Sequence, residues 1–469
     1  MNRNNFLIHA ALAIVLILVA AFAGQLNRWR KHWKSQMRIV PAEEKKRPQT
    51  SEEIAIAEAH AHSRPEVLVK FKSGVSRATL DTLSDRFNDR VEDLIENAPG
   101  WAAIDDLDDA SPAETVLQYR ALPEVEYAEE NSEINLISAV DSSIVPIFPH
   151  DPQFIEQWAL ANSGQRGGKE GADISAPLAW AATTGSEDVV VAVLDTGVDY
   201  KHEDLKPNMW TRPASVEAYQ DAELGSFDDT FGFNAIENAA DPMDDNGHGT
   251  HCAGIIGAEG ENDIGIAGVN WKVRIMPLKF MNAGGSGTMK DAIESINYAI
   301  NRRKAGVNVR IISASWGSTM RSRALEDVIR KAYENDILFV AAAGNSSVNN
   351  DRTPHFPSSY NVPNVVSVAA LDRNDELAKF SNWGAKSVAI GAPGVDILST
   401  WLGNAYEEKS GTSMATPVVS GVAALIVAQQ PSMSVDDLRK KLLASTDPIV
   451  ALKGKTVTGG RINAAKALE

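Results

Sequence analysis

Residues Val189–Leu194 form an unbroken apolar run, VVVAVL, of the length and kind found in strands buried on both faces. Similar runs recur at Ile311-Ile312, Ile337–Ala341 and Val365–Val368. Between and after them, 288–304, 321–335 and 413–429 show helical spacing. From about residue 147 onward this alternation predicts an α/β domain, a doubly wound and mostly parallel sheet with helices on both faces. Ligands of such sheets bind beyond the carboxyl ends of the strands, so functional residues are expected just after the apolar runs. An earlier segment has a different rhythm. Val67–Phe71 alternates like a strand and Lys72-Ser73-Gly74 reads as a turn. Ser76–Arg90 carries Leu80, Leu83 and Phe87 at helical spacing, and Trp101–Leu107 reads as a strand. Ser111-Pro112-Ala113-Glu114 opens a helix over 113–121, and Val125–Ala128 is a last strand. The order β-α-β-β-α-β predicts a small α+β unit of ferredoxin-like type.

Composition adds limits. The 469 residues are 44% hydrophobic and 23% charged, ordinary values for a soluble protein of two or three domains. The net charge of −17 argues against nucleic-acid binding, which needs clustered Lys and Arg. That charge is segmented: residues 1–48 carry +7 and the other 421 carry −24. The basic head contains an apolar run, Phe6–Ala23, broken only by His9. The Ala21-Phe22-Ala23 triplet suits signal cleavage, while 18 apolar residues just reach membrane-spanning length. A cleaved signal and a retained anchor, tethering the chain through residues 6–23, both fit; either carries the bulk across a membrane. The resulting division is 1–25 signal peptide or anchor, 26–63 basic and polar linker, 64–137 small domain, 138–150 linker and 151–469 main domain. The lone Cys252 excludes an internal disulfide and a zinc site built on several thiolates.

The chemistry-bearing motifs sit where the sheet pattern expects them. Asp195-Thr196-Gly197 follows the first apolar run, and Ala341-Ala342-Ala343-Gly344-Asn345 ends another. Asp244-Asp245-Asn246-Gly247-His248-Gly249-Thr250-His251 leads into apolar Ala253–Ile256. Gly411-Thr412-Ser413-Met414-Ala415-Thr416-Pro417 opens a long apolar helix. A serine hydroxyl is a poor nucleophile unless an imidazole takes its proton and a carboxylate steadies the imidazole. An acyl intermediate also needs donors aimed at its oxyanion. Each motif alone is an ordinary turn or helix cap; their joint occurrence in the order Asp, His, Ser is not. HExxH and GxSxG are absent from the sequence.

On DTG, NGHGTHCAG and GTSMATP, residues 147–469 resemble the subtilisin-like serine proteases, ending in the family-like GGRINAAKAL. The resemblance implies a serine endopeptidase acting on proteins or peptides, with Ser413 the nucleophile, His248 the base and Asp195 its orienter. It assigns the oxyanion to Asn345 and the Ser413 amide, and makes His251 structural. Substrate is implied to bind as an added strand beside Gly285-Ser286-Gly287 and Ser315-Trp316-Gly317. Ala342-Ala343-Gly344 would line the pocket for the residue before the cut, with His355 near its base. Trp316, Met281 and Met289 are expected around a second apolar pocket. Calcium is the implied cofactor, held by Asp151, Asp204, the Asn262 side chain and the Ile264 and Ile266 carbonyls; no organic cofactor is expected. A weaker second cation site is expected around Asp241, Asp244 and Asp245. Cys252, four residues past His248, is read as a small buried hydrophobe.

Residues 64–137, with VLVKFKSG near the start and EVEYAEEN near the end, resemble the family's inhibitory prodomain. That implies a self-processing zymogen, inhibited by its own prodomain, cut within 138–150 and then secreted or extracytoplasmic, or anchored at the membrane. The contrasting reading is a silent, tethered scaffold on the same fold; the complete set of motif residues argues against it.

Overall fold

The computed structural model describes residues 67–95, 98–107, 111–131, 145–221 and 225–469. The candidate signal or anchor at 6–23, the linker at 26–63 and most of the processing segment 138–150 lie outside the described residues. The chain divides into two compact units, Met1–Ser138 and Ala139–Glu469.

The first unit follows the expected order: β1 (Val67–Phe71), α1 (Arg77–Arg86), β2 (Asp89–Leu94), β3 (Trp101–Asp106), α2 (Pro112–Arg120) and β4 (Val125–Glu130). The strands form an antiparallel sheet in the order β2-β3-β1-β4. Helix α2 begins in a full capping box, Ser111 with Glu114, and carries Pro112 in its first turn. Helix α1 ends earlier than its apolar spacing suggests, because Asn88 turns left-handed (φ 61°) and starts β2. Val67, Val69 and Phe71 of β1 pack with Leu80, Val116 and Tyr119 into a small core.

The second unit is built on a nine-stranded sheet. Its strands are β5 (Gly185–Asp195), β6 (Phe233–Asn234), β7 (Lys272–Lys279), β8 (Val309–Ala314), β9 (Leu338–Ala342), β10 (Val365–Leu371), β11 (Ile390–Pro393), β14 (Thr446–Pro448) and β15 (Gly460–Ile462), numbered around a hairpin of β12 (Ile397–Trp401) and β13 (Ala405–Lys409). The spatial order is β14-β15-β11-β10-β9-β8-β5-β7-β6, parallel except for β14 on β15. Alternate residues of β5 feed opposite cores. Val189, Val191 and Val193 join α3 (His248–Gly257) and α6 (Thr412–Gln429) on one face. Val190, Ala192 and Leu194 join α4 (Met289–Lys304) and α5 (Arg323–Glu334) on the other. This is why the run is apolar throughout.

After β5 the chain adds β6 and β7 on one side, then crosses through α4 to add β8 on the other. The end of β5 is therefore a switch point, and Asp195 stands there. Helix α6 runs beneath β5, β8, β9, β10 and β11. Among the described residues it alone is long and apolar enough to cross a membrane, but 83% of it is buried in the protein. It is a core helix.

Candidate active site

Asp195 is fully buried, and its Oδ1 accepts from the Thr196 amide at 2.8 Å and from His248 Nδ1 at 2.7 Å. A carboxylate acceptor at Nδ1 fixes the proton there and leaves Nε2 as the acceptor. Burial works against charging His248, but the Asp195 carboxylate and its hydrogen bond, with Asp244, outweigh this and raise its pKa above the ordinary histidine value. Asp195 Oδ2 is buried without a partner.

His248 is the first residue of α3, and its position is fixed from three sides. Its amide donates to Asn246 Oδ1 at 3.1 Å, while Asn246 Nδ2 reaches Ala283 O at 2.9 Å. At the next residue only glycine fits: a Cβ on Gly249 would overlap Gly197 O and crowd Asp195. Asp244 accepts from the amides of Asn246, Gly247 and Thr250 and from the hydroxyls of Thr196 and Thr250. Asp245 pairs with Lys279 at 2.6 Å. These bonds correct the second cation site expected at Asp241, Asp244 and Asp245, because Asp244 and Asp245 are committed to protein donors that cap and hold α3.

Ser413 lies in the first turn of α6, where amides lack helical partners. Its Oγ donates to Ser315 O at 2.9 Å, and Ser315 Oγ donates to Ser413 O at 2.8 Å. Pro417 stands four residues on and has no N–H to give that carbonyl. Ser315 and the Cys252 thiol, 3.6 Å away, take its place. Asn345 Oδ1 accepts from both the amide and the hydroxyl of Thr412 at 2.9 Å, which leaves its Nδ2 free on the Gly411–Ser413 side. Asp195 and His248 thus meet at the end of β5 and the start of α3, Asn345 and Ser413 lie at the end of β9 and the start of α6, and Cys252 of α3 reaches the Ser413 carbonyl.

Ser315-Trp316-Gly317 follows β8 and Ala343-Gly344 follows β9, adjacent parallel strands, so the two segments flank Ser413. The His355 ring fills the space in front of both Gly317 and Gly344, and its Nδ1 is buried without a partner. Gly284, Gly285 and Ser286 are exposed in a loop closed by a Met281–Gly287 bridge. The Trp316 and Phe280 rings meet at 4.8 Å, tilted by 57°, with Met281 and Met289 at the edge of the same cluster. His251 is buried, its Nε2 bonded to Glu407 O at 2.9 Å; burial holds its pKa down to about 4. Cys252 is wholly buried and its thiol pKa is pushed well up by that burial. Thr196, Lys279 and Thr412 make contacts around the site that motif reading left unassigned, and no sequence signal marked Lys279, because its strand is interrupted by charges and Pro277.

Residues 186–463 match the subtilase family of peptidases, and residues 48–131 match the fervidolysin N-terminal prodomain. The chain belongs to the subtilase family. It is 33% identical over 432 residues to a thermophilic serine proteinase of a Bacillus species, covering 90% of this chain and 92% of that one. It is 34% identical to thermitase of Thermoactinomyces vulgaris over 68% of this chain and 99% of that protein. A solved protease of Pseudoalteromonas arctica superposes with a TM-score of 0.56 at 28% identity, over 68% of this chain and 98% of that structure. This subtilase is a serine endopeptidase carrying an N-terminal prodomain.

Subtilases commonly bind calcium, and one place in this chain fits it. Asp151 and Asp204 are 4% and 0% exposed, with no Lys or Arg within ion-pair reach among the described residues. Burial raises both pKa values, that of Asp204 to about 6. The loop from Glu261 to Ile266 wraps them: the amides of Glu261 and Ile266 donate to Asp151 and Asp204, and the Asn262 side chain reaches Asp204 at 2.8 Å. Gly265 turns left-handed (φ 43°) with Tyr406 against it, so no side chain fits there. Two buried carboxylates without a cation are costly, and a hard oxygen-seeking ion removes that cost.

Proposed function

We propose that this subtilase is an exported endopeptidase, made as a self-processing zymogen, which cuts peptide bonds through Asp195, His248 and Ser413. The observation that carries the reading is the 2.7 Å Asp195–His248 bond beside a serine whose own amide is free in a helix first turn. When substrate enters, Ser413 Oγ leaves the Ser315 carbonyl, gives its proton to His248 Nε2 and attacks the scissile carbonyl. The oxyanion receives Asn345 Nδ2 and the Ser413 amide, helped by the positive end of α6. His248, now cationic against Asp195, protonates the leaving amine. The acyl-enzyme is hydrolysed by a water that His248 activates in turn.

Substrate lies as a strand along Gly285-Ser286-Gly287 and Ser315-Trp316-Gly317, with Ala343, Gly344 and His355 around the side chain before the cut. Residues 64–137 act as the intramolecular inhibitor, released by a cut within 138–150, and 151–469 form the mature enzyme. Export is supported by the apolar run at 6–23. A fluorophosphonate probe is expected to label Ser413 and no other serine, read by peptide mapping; an unlabelled Ser413 in folded, processed protein overturns the reading.

Calcium would be held by Asp151, Asp204, Asn262 and the carbonyls of Ile264 and Ile266, tying the start of the domain to the chain after α3. A ligand bound only to the folded state at a hundred times its Kd stabilises by about 2.7 kcal/mol. Excess EDTA is therefore expected to lower the Tm by about 4 °C, and to leave the Tm of Asp204→Asn unchanged. An EDTA-insensitive wild type rejects the site.

A further inference from the structure

Lys279 ends β7 with its side chain turned inward, only 7% exposed. Its ammonium donates to Thr196 O at 2.7 Å, Asp245 Oδ1 at 2.6 Å and Met281 O at 3.2 Å. Those three bonds use every proton a lysine has. Each acceptor belongs to a different part of the site. Thr196 follows Asp195, Asp245 lies three residues ahead of His248, and Met281 begins the loop to Gly285–Gly287. The strand register sets Lys279 opposite Asp195, whose carbonyl accepts the amides of Phe280 and Met281.

A buried cation is unfavourable unless all its donors are used, and an apolar residue would serve if this strand end needed only packing. Asp245 does not need the lysine for its own sake, since its side chain is 53% exposed. We propose that Lys279 is a positioning residue for peptide hydrolysis: it locks the turn carrying Asp195, the entry to the helix of His248 and the first strand of the groove into one arrangement. It touches no substrate. Asp195, Asp244, Asp245 and His248 are the ionisable groups around this junction. The inference rests on the triad reading above.

The test uses mature enzyme processed from the full chain, with active sites counted by fluorophosphonate titration so that misfolded copies drop out. Lys279→Met keeps the stem and removes the donors. Its kcat per titrated site is expected to fall about 100-fold, the scale of a small misplacement of catalytic groups, with the larger part of the loss in kcat rather than KM. A looser Asp195 raises the His248 pKa less, so the acid limb of kcat/KM should move to lower pH. Lys279→Arg should recover most of the rate, and Asp245→Asn, which keeps the two carbonyl bonds, should lose only about threefold to tenfold. A Lys279→Met enzyme with undiminished kcat, a loss confined to KM, or an acid limb shifted upward overturns the proposal. If Lys279→Met yields no folded protein, Asp245→Asn decides: full kcat with an unmoved acid limb rejects the tie. Failure of the wild type to label at Ser413 appears in the same titration and would sink the triad reading instead.

Discussion

Ser413→Ala is expected to lower kcat by about 10⁶-fold, the scale on which loss of the triad serine acts in a related subtilisin. Nothing nearby replaces it. Ser315 Oγ is already spent on the Ser413 carbonyl, and the Cys252 thiol is buried on the same carbonyl with its pKa pushed up, so it offers no thiolate. The fold should survive, because the Ser413 side chain makes one bond, to Ser315 O. Under the zymogen reading the variant also stays uncut, so a full-length precursor should persist on a gel when no other protease is present. Processing of Ser413→Ala at the wild-type rate would remove self-cleavage while leaving the peptide-hydrolysis reading to the kinetic arm.

Asp195→Asn is expected to cost about 10⁴-fold in kcat. The amide keeps the size of the carboxylate, so its oxygen can still accept from Thr196 and His248, but the charge that steadies the imidazolium is gone. Burial, opposed only by the weaker influence of Asp244, then governs His248 and lowers its pKa, since burial disfavours the charged ring. In the wild type the raised pKa sets the acid limb of kcat/KM above about 6.5, activity appearing as pH rises and Nε2 becomes free. In Asp195→Asn that limb should move below it. A variant that keeps the wild-type acid limb would separate Asp195 from the base.

Much of the fold was legible because it is written in local periods. The strands Ile311-Ile312 and Val365–Val368 and the helix over 413–429 lie within observed elements, and Ile337–Ala341 does so from Leu338 on. The missing strands had no such signal. β7 reads KVRIMPLK, its apolar residues interrupted by charges and Pro277, and it is a strand because β5 and β6 pair with it on both sides. The hairpin of β12 and β13 contains charged YEEK and is held by contacts across 150 residues, such as Thr400 Oγ1 with Thr250 O. The site divides the same way. Motifs pointed to Asp195, His248, Ser413 and Asn345, which have to be particular chemical types. They did not show that Asp244 is a hub of capping bonds rather than a cation ligand, nor that Ser315, Cys252 and Pro417 converge on one carbonyl. Those assignments depend on which long-range donor finds which acceptor, and no spacing along the chain encodes that.

That shared carbonyl has a bearing on how long the enzyme lasts. Strand β8 reaches it through Ser315, helix α3 through Cys252, and helix α6 carries it. The serine is therefore wired into the central sheet and both inner helices, and it belongs to the same cooperative unit as the core. An opened copy is at once inactive and a substrate for its neighbours. The working lifetime of a concentrated preparation is then governed by how often the whole domain opens, a rate rather than an equilibrium, and self-digestion removes the copies that have already stopped working.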